Sequence, residues 1–256
     1  MQPAREPVTV HAWPQYQWLA VRALRSTQAM TVISIATPAT ENRRVARSLV
    51  RLALRETLAA LLGQPAASIA LVSPLGRAIY VDSTICPLRL SISHSPGISV
   101  AAICQGAAIG IDVMRIEAVT PGQTEWLRLA GDYLGPQVTV KLQGVPPDTF
   151  PSVFAQAWTD FEAALKCLGL GLTEWSPELA SRLANCRVVA LDLPANYCGS
   201  IATAAGDTRR LRDTDLCGDG KDQMHDAASS QNPTEICEAR PPGRGAQRDS
   251  PTVCGE

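Results

Sequence analysis

Short apolar runs alternate with longer segments of helical periodicity from residue 30 to residue 204, and this alternation restricts the fold class. Runs of four to eight apolar residues predict strands, whereas apolar residues three and four positions apart predict one face of a helix. Both patterns occur in each half, so the sequence predicts an α+β protein of two similar lobes. The predicted strands are 30–36, 69–72, 77–81, 88–93, 98–103, 107–113, 186–193 and 197–203, and the predicted helices are 41–62, 124–134 and 152–168.

The composition changes near residue 205. Residues 205–256 contain no Phe, Trp or Tyr, and Gly, Pro, Asp, Arg and Ser dominate. Such a segment cannot bury enough apolar surface to offset its ordering entropy, which predicts a disordered tail. The first 204 residues carry 16 Lys and Arg against 14 Asp and Glu, and the tail carries 7 against 10. We therefore expect an N-terminal lobe over 1–106, a C-terminal lobe over 107–204 and an acidic tail over 205–256.

Charge, hydropathy and cysteine spacing exclude several functional classes. The formal net charge is −1, which favours neither a nucleic-acid-binding nor a membrane protein. No run of eighteen apolar residues and no N-terminal signal pattern is present. The eight cysteines form no C-x-x-C pair and the three histidines are far apart, which disfavours a zinc site or a disulfide framework. We expect a reduced, cytoplasmic protein.

Four arginines lie on one face of the long predicted helix. Arg44, Arg47, Arg51 and Arg55 are three, four and four residues apart. Taken alone, this spacing favours a solvated face opposite the apolar stripe. The alternative is an anion-binding face, because the guanidinium group pairs in bidentate fashion with phosphate.

Two further segments place polar side chains at the ends of predicted strands. In S-I-S-H-S (91–95), His94 lies between Ser93 and Ser95, where a ligand could reach it, although a lone histidine is more often structural. No G-x-S-x-G motif surrounds these serines, which argues against a serine hydrolase. Asp112 ends the otherwise apolar strand of A-A-I-G-I-D-V-M (107–114), and a buried carboxylate needs a cation or a metal as partner.

The helix W-T-D-F-E-A-A-L-K (158–166) supplies an acid and a base on one edge of its apolar stripe. Glu162 and Lys166 are four residues apart, and on a surface they would form a weak ion pair. If Asp112 and Glu162 instead converge, they form the oxygen site that magnesium uses when it also binds substrate phosphates. Lys166 would then direct its charge to the same place. Spacing alone leaves both alternatives open.

Three segments, in this order, resemble the 4′-phosphopantetheinyl transferases of the larger, two-lobed, surfactin-synthetase-activating type. They are L-G-R with L-S-I-S-H-S (75–77 and 90–95), I-G-I-D-V-M (109–114) and W-T-D-F-E-A-A-L-K-C-L-G-L-G-L (158–172). The family pattern is roughly G-[KR]-P, a strand ending in S-H-S, G-[IV]-D-[IV], and W-[ST]-x-K-E-[AS]-x-x-K before a glycine-rich turn. The ordered set is specific, whereas each motif alone is weak. The resemblance covers about residues 30–204.

The resemblance implies a fold of two pseudo-symmetric lobes, each a helix packed on a small, mostly antiparallel sheet, with the metal site between them. It implies transfer of phosphopantetheine from coenzyme A to a serine of an acyl or peptidyl carrier protein by a monomeric enzyme, with release of adenosine 3′,5′-bisphosphate. A catalytically weak or inactive member would instead bind coenzyme A or the carrier protein.

The resemblance also assigns roles to individual residues. Asp112 and Glu162 would bind Mg²⁺, with Glu162 also the general base or the group that orients a basic water. Lys166 would contact the diphosphate of coenzyme A. The nucleotide end would be bound by the remaining matched residues, namely Ser93 and His94 at the phosphates and Arg47 and Arg77 at the 3′-phosphate and adenosine.

Two positions depart from the family pattern. Met114 stands where many members have a glutamate, and a thioether is a poor magnesium ligand, so water is expected there. Other members resemble this G-x-D-x-M version. Phe161 stands where the pattern has a lysine before the glutamate, so we expect one phosphate-facing cation to be missing.

Overall fold

Nine strands and six α-helices form the part of the chain that the computed structural model describes, residues 6–26, 29–39, 43–74, 78–82, 87–116 and 123–204. These residues belong to one compact unit. The predicted α+β class is confirmed, whereas Arg77 and the predicted tail lie outside the described residues. The strands are β1 (Val10–Trp13), β2 (Met30–Ala36), β3 (Leu71–Val72), β4 (Tyr80–Val81), β5 (Leu88–Ser95), β6 (Ile98–Gln105), β7 (Ile109–Arg115), β8 (Cys186–Ala190) and β9 (Tyr197–Ala204). The helices are α1 (Gln17–Arg25), α2 (Arg43–Leu62), α3 (Gln123–Tyr133), α4 (Pro136–Gln143), α5 (Phe150–Cys167) and α6 (Pro177–Leu183).

The first sheet has six strands in the order β1-β2-β6-β5-β4-β3. β1 and β2 are parallel, and the other neighbours are antiparallel. Alternation along β2 gives the sheet two apolar faces, because successive side chains point to opposite sides. Ile33 and Ile35 pack with α1 and α2, whereas Val32 packs against the second sheet.

Helix α2 covers one face of the first sheet. Its buried residues recur three and four positions apart, as expected for an amphipathic helix, and include Val50, Leu54 and Leu58. The helix ends before Gly63, whose φ of +66° is a backbone conformation that favours glycine. The predicted helix 41–62 is confirmed from Arg43 onward, and residues 41–42 lie outside the described ranges.

The second sheet has three antiparallel strands in the order β7-β9-β8. The chain crosses into it from the first sheet between Gln105 and Ile109. One face packs on the first sheet through residues such as Ile111 and Ile201, and the other packs against α5. Helices α3, α4 and α6 enclose an aromatic cluster with α5. Described helices all lack the length and apolar character needed to cross a membrane.

The structure corrects the expectation of one helix for each half of the chain. Two helices accompany the first sheet, and α4 and α6 add to the two helices predicted beside the second. The strands predicted at 69–72 and 77–81 shorten to two residues each, with position 77 outside the described ranges. The strand predicted at 186–193 ends at Ala190; Leu191 N still donates to Gly199 O of β9 at 2.9 Å, and Leu191 also forms an isolated bridge to Val8.

Candidate active site

Alternating serines of β5 bind the free edge of β7. Strand β7 pairs with β9 on one side only, so alternate amides along its other edge have no strand partner. An unpaired strand edge is costly when it is buried, and here side-chain hydroxyls accept its N–H groups. The three hydrogen bonds join Ile111 N to Ser91 Oγ (3.0 Å), Val113 N to Ser93 Oγ (3.3 Å) and Arg115 N to Ser95 Oγ (3.0 Å). The two sheets are therefore joined by the S-I-S-H-S motif.

Asp112 lies on the face of β7 that contacts α5, and it is only 5% exposed. Its Oδ1 accepts hydrogen bonds from the Ser93 hydroxyl at 2.7 Å and from the Lys166 ammonium at 2.6 Å. A buried carboxylate requires such partners, and the cation expected from the sequence is Lys166. The Ser93 hydroxyl donates to Asp112 and also accepts the hydrogen bond of the Val113 amide in β7, so it fixes the orientation of the Asp112 carboxylate.

Gly110 allows α5 to approach β7 closely enough for the two elements to share a site. A Cβ atom at this position would collide with the backbone of α5 at Ala163 O and Cys167 N. Only glycine fits such a close approach without displacing the helix. The approach brings Glu162 and Lys166, one turn apart on α5, beside the strand that carries Asp112.

The Lys166 ammonium joins the two acidic side chains. Its Nζ lies 2.6 Å from Asp112 Oδ1 and 3.7 Å from Glu162 Oε2, and it also donates to Ile111 O at 3.1 Å. The structure therefore brings together the three residues predicted to be catalytic, although 46 residues or more separate Asp112 from α5 residues 158–166. Both carboxylates face one cation.

Glu162 is half-buried, and its two oxygens have different neighbours. The Trp158 indole N–H donates to Oε1 at 2.9 Å, and Lys166 lies near Oε2. Burial raises the pKa of Glu162, and the negative charge of Asp112 raises it further, while Lys166 and the indole hydrogen bond act in the opposite direction. The net effect is a raised pKa, so this carboxyl group holds its proton at a higher pH than an exposed glutamate does.

His94 is a neutral histidine in a positively charged surrounding. Its Nδ1 forms a 2.7 Å hydrogen bond with Ser99 Oγ. Burial lowers the pKa of His94 to about 4, with further contributions from the positive charges of Arg43, Arg47 and Lys166. The same three cations would attract an anionic ligand at this histidine.

The predicted arginine face of α2 divides into different roles. Arg47 is close enough to lower the pKa of His94, whereas Arg51 donates to the Leu71 carbonyl at 3.2 Å and so fixes the helix to β3. Arg43, which was not predicted as a site residue, lines the cavity beside His94. Its position four residues before Arg47 was a signal that could have identified it.

A polar cavity of about 400 Å³ lies between the two sheets and α5, and Asp112, Glu162 and Lys166 are among the residues that line it. A second cavity of about 620 Å³ shares Lys166 and Ile92 with it and is lined mainly by apolar side chains and glycine backbone. Polar and apolar compartments thus meet at Lys166. The polar cavity is lined by Arg43, Ile92, Ser93, His94, Ser95, Pro96, Asp112, Val113, Met114, Trp158, Glu162 and Lys166.

The two departures from the family pattern occupy different environments. Met114 is half-buried and lines the polar cavity, where its thioether offers no hard ligand. Phe161 is 7% exposed and packs in the aromatic cluster, with its ring 6.2 Å from that of Trp158. The Phe161 side chain thus points into the core, and the expectation that one phosphate-facing cation is missing at this position stays a prediction.

Asp112 and Glu162 suit a hard divalent cation only if a bound substrate and water supply the remaining oxygen ligands. Within the described ranges, no group of three His, Cys, Asp or Glu side chains is arranged to hold a metal. Asp112 and Glu162 offer two carboxylates that already face one cation, the Lys166 ammonium. Magnesium is commonly held by one or two carboxylates together with substrate phosphates and water, and this pair meets that requirement.

A second polar network beside the cavity was not expected from the sequence. Ser200, fully buried on β9, forms hydrogen bonds with Asp160 Oδ1 at 2.5 Å, Gln156 Nε2 at 2.7 Å and Thr159 Oγ1 at 3.1 Å. All three partners lie on α5, so the network fixes the helix to the strand that pairs with β7. It thereby supports the placement of Glu162.

Comparisons with known proteins do not add to this geometry. No protein-family model matches the chain, and no curated protein matches it. The resemblance noted above therefore depends on the three motifs and on the arrangement of their side chains.

Proposed function

We propose that this protein is a 4′-phosphopantetheinyl transferase of the two-lobed type. It transfers the 4′-phosphopantetheine group of coenzyme A to a serine of an acyl or peptidyl carrier protein and releases adenosine 3′,5′-bisphosphate. The observation that carries the proposal is the convergence of Asp112, Glu162 and Lys166 on one cavity from distant parts of the chain. Each sheet with its helices forms one of the two lobes.

The charges around the cavity support coenzyme A as the substrate. Lys166 lies where the polar and the apolar cavity meet, so it is suited to the diphosphate at the centre of coenzyme A. Arg43 and Arg47 form the positive end of the site beside the neutral His94 imidazole, and the three side chains receive the phosphates of the nucleotide. Ser93 acts indirectly, by orienting Asp112.

Asp112 and Glu162 would hold Mg²⁺ in this proposal, together with oxygens of the substrate and water. Bound there, the cation would supply positive charge against the diphosphate. Met114 would contribute no ligand, because a thioether is a poor magnesium ligand.

The transfer is a displacement at the phosphorus that bears the pantetheine arm. The carrier serine oxygen forms a bond to this phosphorus, and the bond to the oxygen bridging the two phosphorus atoms breaks. The electron pair leaves with adenosine 3′,5′-bisphosphate. Glu162 accepts the serine proton directly or orients the water that accepts it, and Lys166 stabilises charge on the diphosphate. Enzymes catalyse phosphoryl transfer mainly by such positioning and charge stabilisation.

One observation favours a second candidate function, a coenzyme A or carrier-protein binding module without turnover. The Lys166 ammonium contacts both carboxylates and so occupies the point they share. If Lys166 stays there when coenzyme A binds, the carboxylates remain neutralised and the site binds without catalysing transfer.

We also propose that the protein acts as a cytoplasmic monomer. The residues assigned to the site all come from one chain, so a second copy is not needed to complete it. The four cysteines within the described ranges are free thiols, as in a reducing compartment.

The direct test is a mass measurement on carrier proteins. The full chain is incubated with coenzyme A, Mg²⁺ and a panel of apo carrier domains from fatty-acid, polyketide and nonribosomal-peptide synthesis. We expect at least one carrier to gain the mass of one phosphopantetheine and the gain to disappear with a chelator. Binding of coenzyme A with no mass gain on any carrier would support the binding module instead.

A further inference from the structure

Trp158 lies at the end of a row of aromatic rings along α5. Phe150, Phe154 and Trp158 follow one another four residues apart, with stacked rings whose centroids are 6.2 and 5.9 Å apart. The edge of Tyr133 from α3 meets the Trp158 ring at 5.7 Å, and Phe161 lies at 6.2 Å. Ring contacts of this kind fix the orientation of an aromatic side chain. The indole therefore has little freedom to turn.

The polar edge of this fixed ring points at Glu162. The Trp158 Nε1–H donates to Glu162 Oε1 at 2.9 Å, and the other oxygen, Oε2, lies 3.7 Å from the Lys166 ammonium. Each carboxylate oxygen thus has its own neighbour. The last torsion of a glutamate is otherwise broad, so without the indole the carboxylate would sample many orientations.

We propose that Trp158 is a positioning residue that holds Glu162 in the orientation required for metal binding and transfer. This inference rests on the proposed function. The indole N–H suits the task because it is a neutral donor with no acceptor, so it fixes one oxygen without cancelling the charge of the carboxylate. The other oxygen is left for the cation and for the reacting proton. From the sequence, Trp158 was the first residue of the matched motif and of the helix 158–166, and no role was predicted for it.

The test compares three proteins, the wild-type chain and the variants Trp158→Phe and Trp126→Phe. Phenylalanine keeps an aromatic ring at position 158 but removes the N–H. Trp126 is a matched control, because it packs on Phe154 in the same cluster at 4.6 Å and does not contact Glu162. Four quantities are measured on each protein: the affinity for Mn²⁺ as a probe of the metal site, by calorimetry, the kcat, the KM for coenzyme A, and the midpoint of thermal denaturation.

We expect Trp158→Phe to lose about 10- to 100-fold in Mn²⁺ affinity and in kcat, the range found when the partner of a metal ligand is removed. The KM for coenzyme A should stay within about two-fold, because Trp158 does not act on the nucleotide. Trp126→Phe should remain near the wild type in Mn²⁺ affinity, in kcat and in KM. A purely structural role would affect the two tryptophan variants alike and lower their thermal stability together.

If Trp158→Phe does not fold, an analogue with sulfur in place of the indole N–H, β-(3-benzothienyl)alanine, is introduced at position 158 to keep the bicyclic shape. Mn²⁺ affinity and kcat equal to those of Trp126→Phe would overturn the inference while leaving the transferase assignment intact. A wild-type chain that modifies no carrier would refute the proposed function, and the Mn²⁺ measurements would still decide the role of Trp158. A wild-type chain that neither binds Mn²⁺ nor modifies a carrier would overturn both.

Discussion

Lys166 brings one ammonium group close to two carboxylates, and this arrangement governs the chemistry of both. Positive charge favours ionised carboxylates, whereas burial and mutual repulsion raise the pKa of Glu162. Glu162 is therefore suited both to accept a proton and to bind a cation. Its charge, and not its shape, is what the proposed mechanism uses.

Replacing Glu162 by glutamine tests that statement. We expect Glu162→Gln to lower kcat by about 100-fold or more, within the range for loss of general acid–base catalysis. The fold should persist, because the amide oxygen can still accept the Trp158 N–H. Transfer is measured by carrier mass and folding by thermal denaturation, with Glu174→Gln at an exposed position as the control. Wild-type turnover in Glu162→Gln would remove its assigned role.

His94 predicts a specific dependence of stability on pH. The pKa of His94 is about 4 in the folded chain, against an ordinary value of 6.5, so the unfolded chain binds more protons between these values. The free energy of unfolding should therefore fall as the pH is lowered from about 6.5 towards 4. In urea unfolding at several pH values, the free energy of unfolding should fall less steeply with decreasing pH in His94→Gln than in the wild type. A smaller fall should remain in the variant, because burial also lowers the pKa of His11. Parallel curves for the two proteins would contradict the assignment.

At the scale of elements, β7 is held from both sides, by the serines of β5 and by helix α5. Gly110 is the point of contact with α5, so Gly110→Ala should force the helix away from the strand. We expect a loss of about 1–3 kcal/mol in the free energy of unfolding, as for overpacked cores. Transfer should also weaken, because Asp112 would separate from Glu162. Urea unfolding and kcat are the measurements.

Gly131 of α3 provides the matched control for that substitution. A Cβ atom there meets nothing within 4 Å, so Gly131→Ala should stabilise the helix by up to about 1 kcal/mol. Equal effects of the two substitutions would show that α5 does not depend on the close approach at Gly110.

The serines of β5 make a second prediction about β7. Ser91→Ala leaves the buried Ile111 amide without its acceptor, which costs about 1–3 kcal/mol. Amide hydrogen exchange at Ile111 should accelerate accordingly. Ser95→Ala is the control, because its partner Arg115 is exposed and water can replace the hydroxyl. Similar changes at both positions would mean that the hydroxyls do not protect the strand edge.

At the scale of the whole molecule, the sequence predicted the elements with strong periodicity. Strand β2 was predicted to the residue, and α2 and α5 within two residues, because their apolar stripes face large cores. Helix α6 was missed although Ser176 and Pro177 form a recognisable helix start, because seven residues are too few to show a helical repeat of apolar positions. Other short elements, β1, α1 and α4, were missed as well.

The site was predictable in its acids and bases but not in its supporting contacts. Motif resemblance and charge led to Asp112, Glu162 and Lys166, whereas Trp158 and Ser91 were overlooked in their supporting roles. Spacing within one segment does not reveal a hydrogen bond between sheets or the orientation of an indole. Those contacts depend on tertiary packing, which local periodicity does not encode.

The cavity combines side chains from both sheets, so its shape depends on how firmly the sheets are joined. Arg43 and His94 belong to the first sheet and its helix, and Glu162 belongs to the helix on the second. Besides the serines of β5, the N-terminal segment joins the sheets at Val8. Val8 N donates to Ala190 O at 2.8 Å, and Asp192 N donates to Val8 O at 2.9 Å. Val8, before β1, thus helps to join the two sheets whose side chains line the cavity.

A chain that begins at Val10 tests this long-range contribution against one that begins at Glu6. Loss of the two backbone hydrogen bonds should lower the free energy of unfolding by about 1–3 kcal/mol, and loss of the Val8 side chain, which packs on the core between the sheets, should lower it further. The KM for coenzyme A should rise, because its proposed contacts on the first sheet would no longer be held in register with Lys166. The chain from Glu6 keeps both bonds and should match the full-length protein in urea unfolding and KM. Equal stability and KM in the two shortened chains would show that the segment at Val8 is not needed to hold the sheets together.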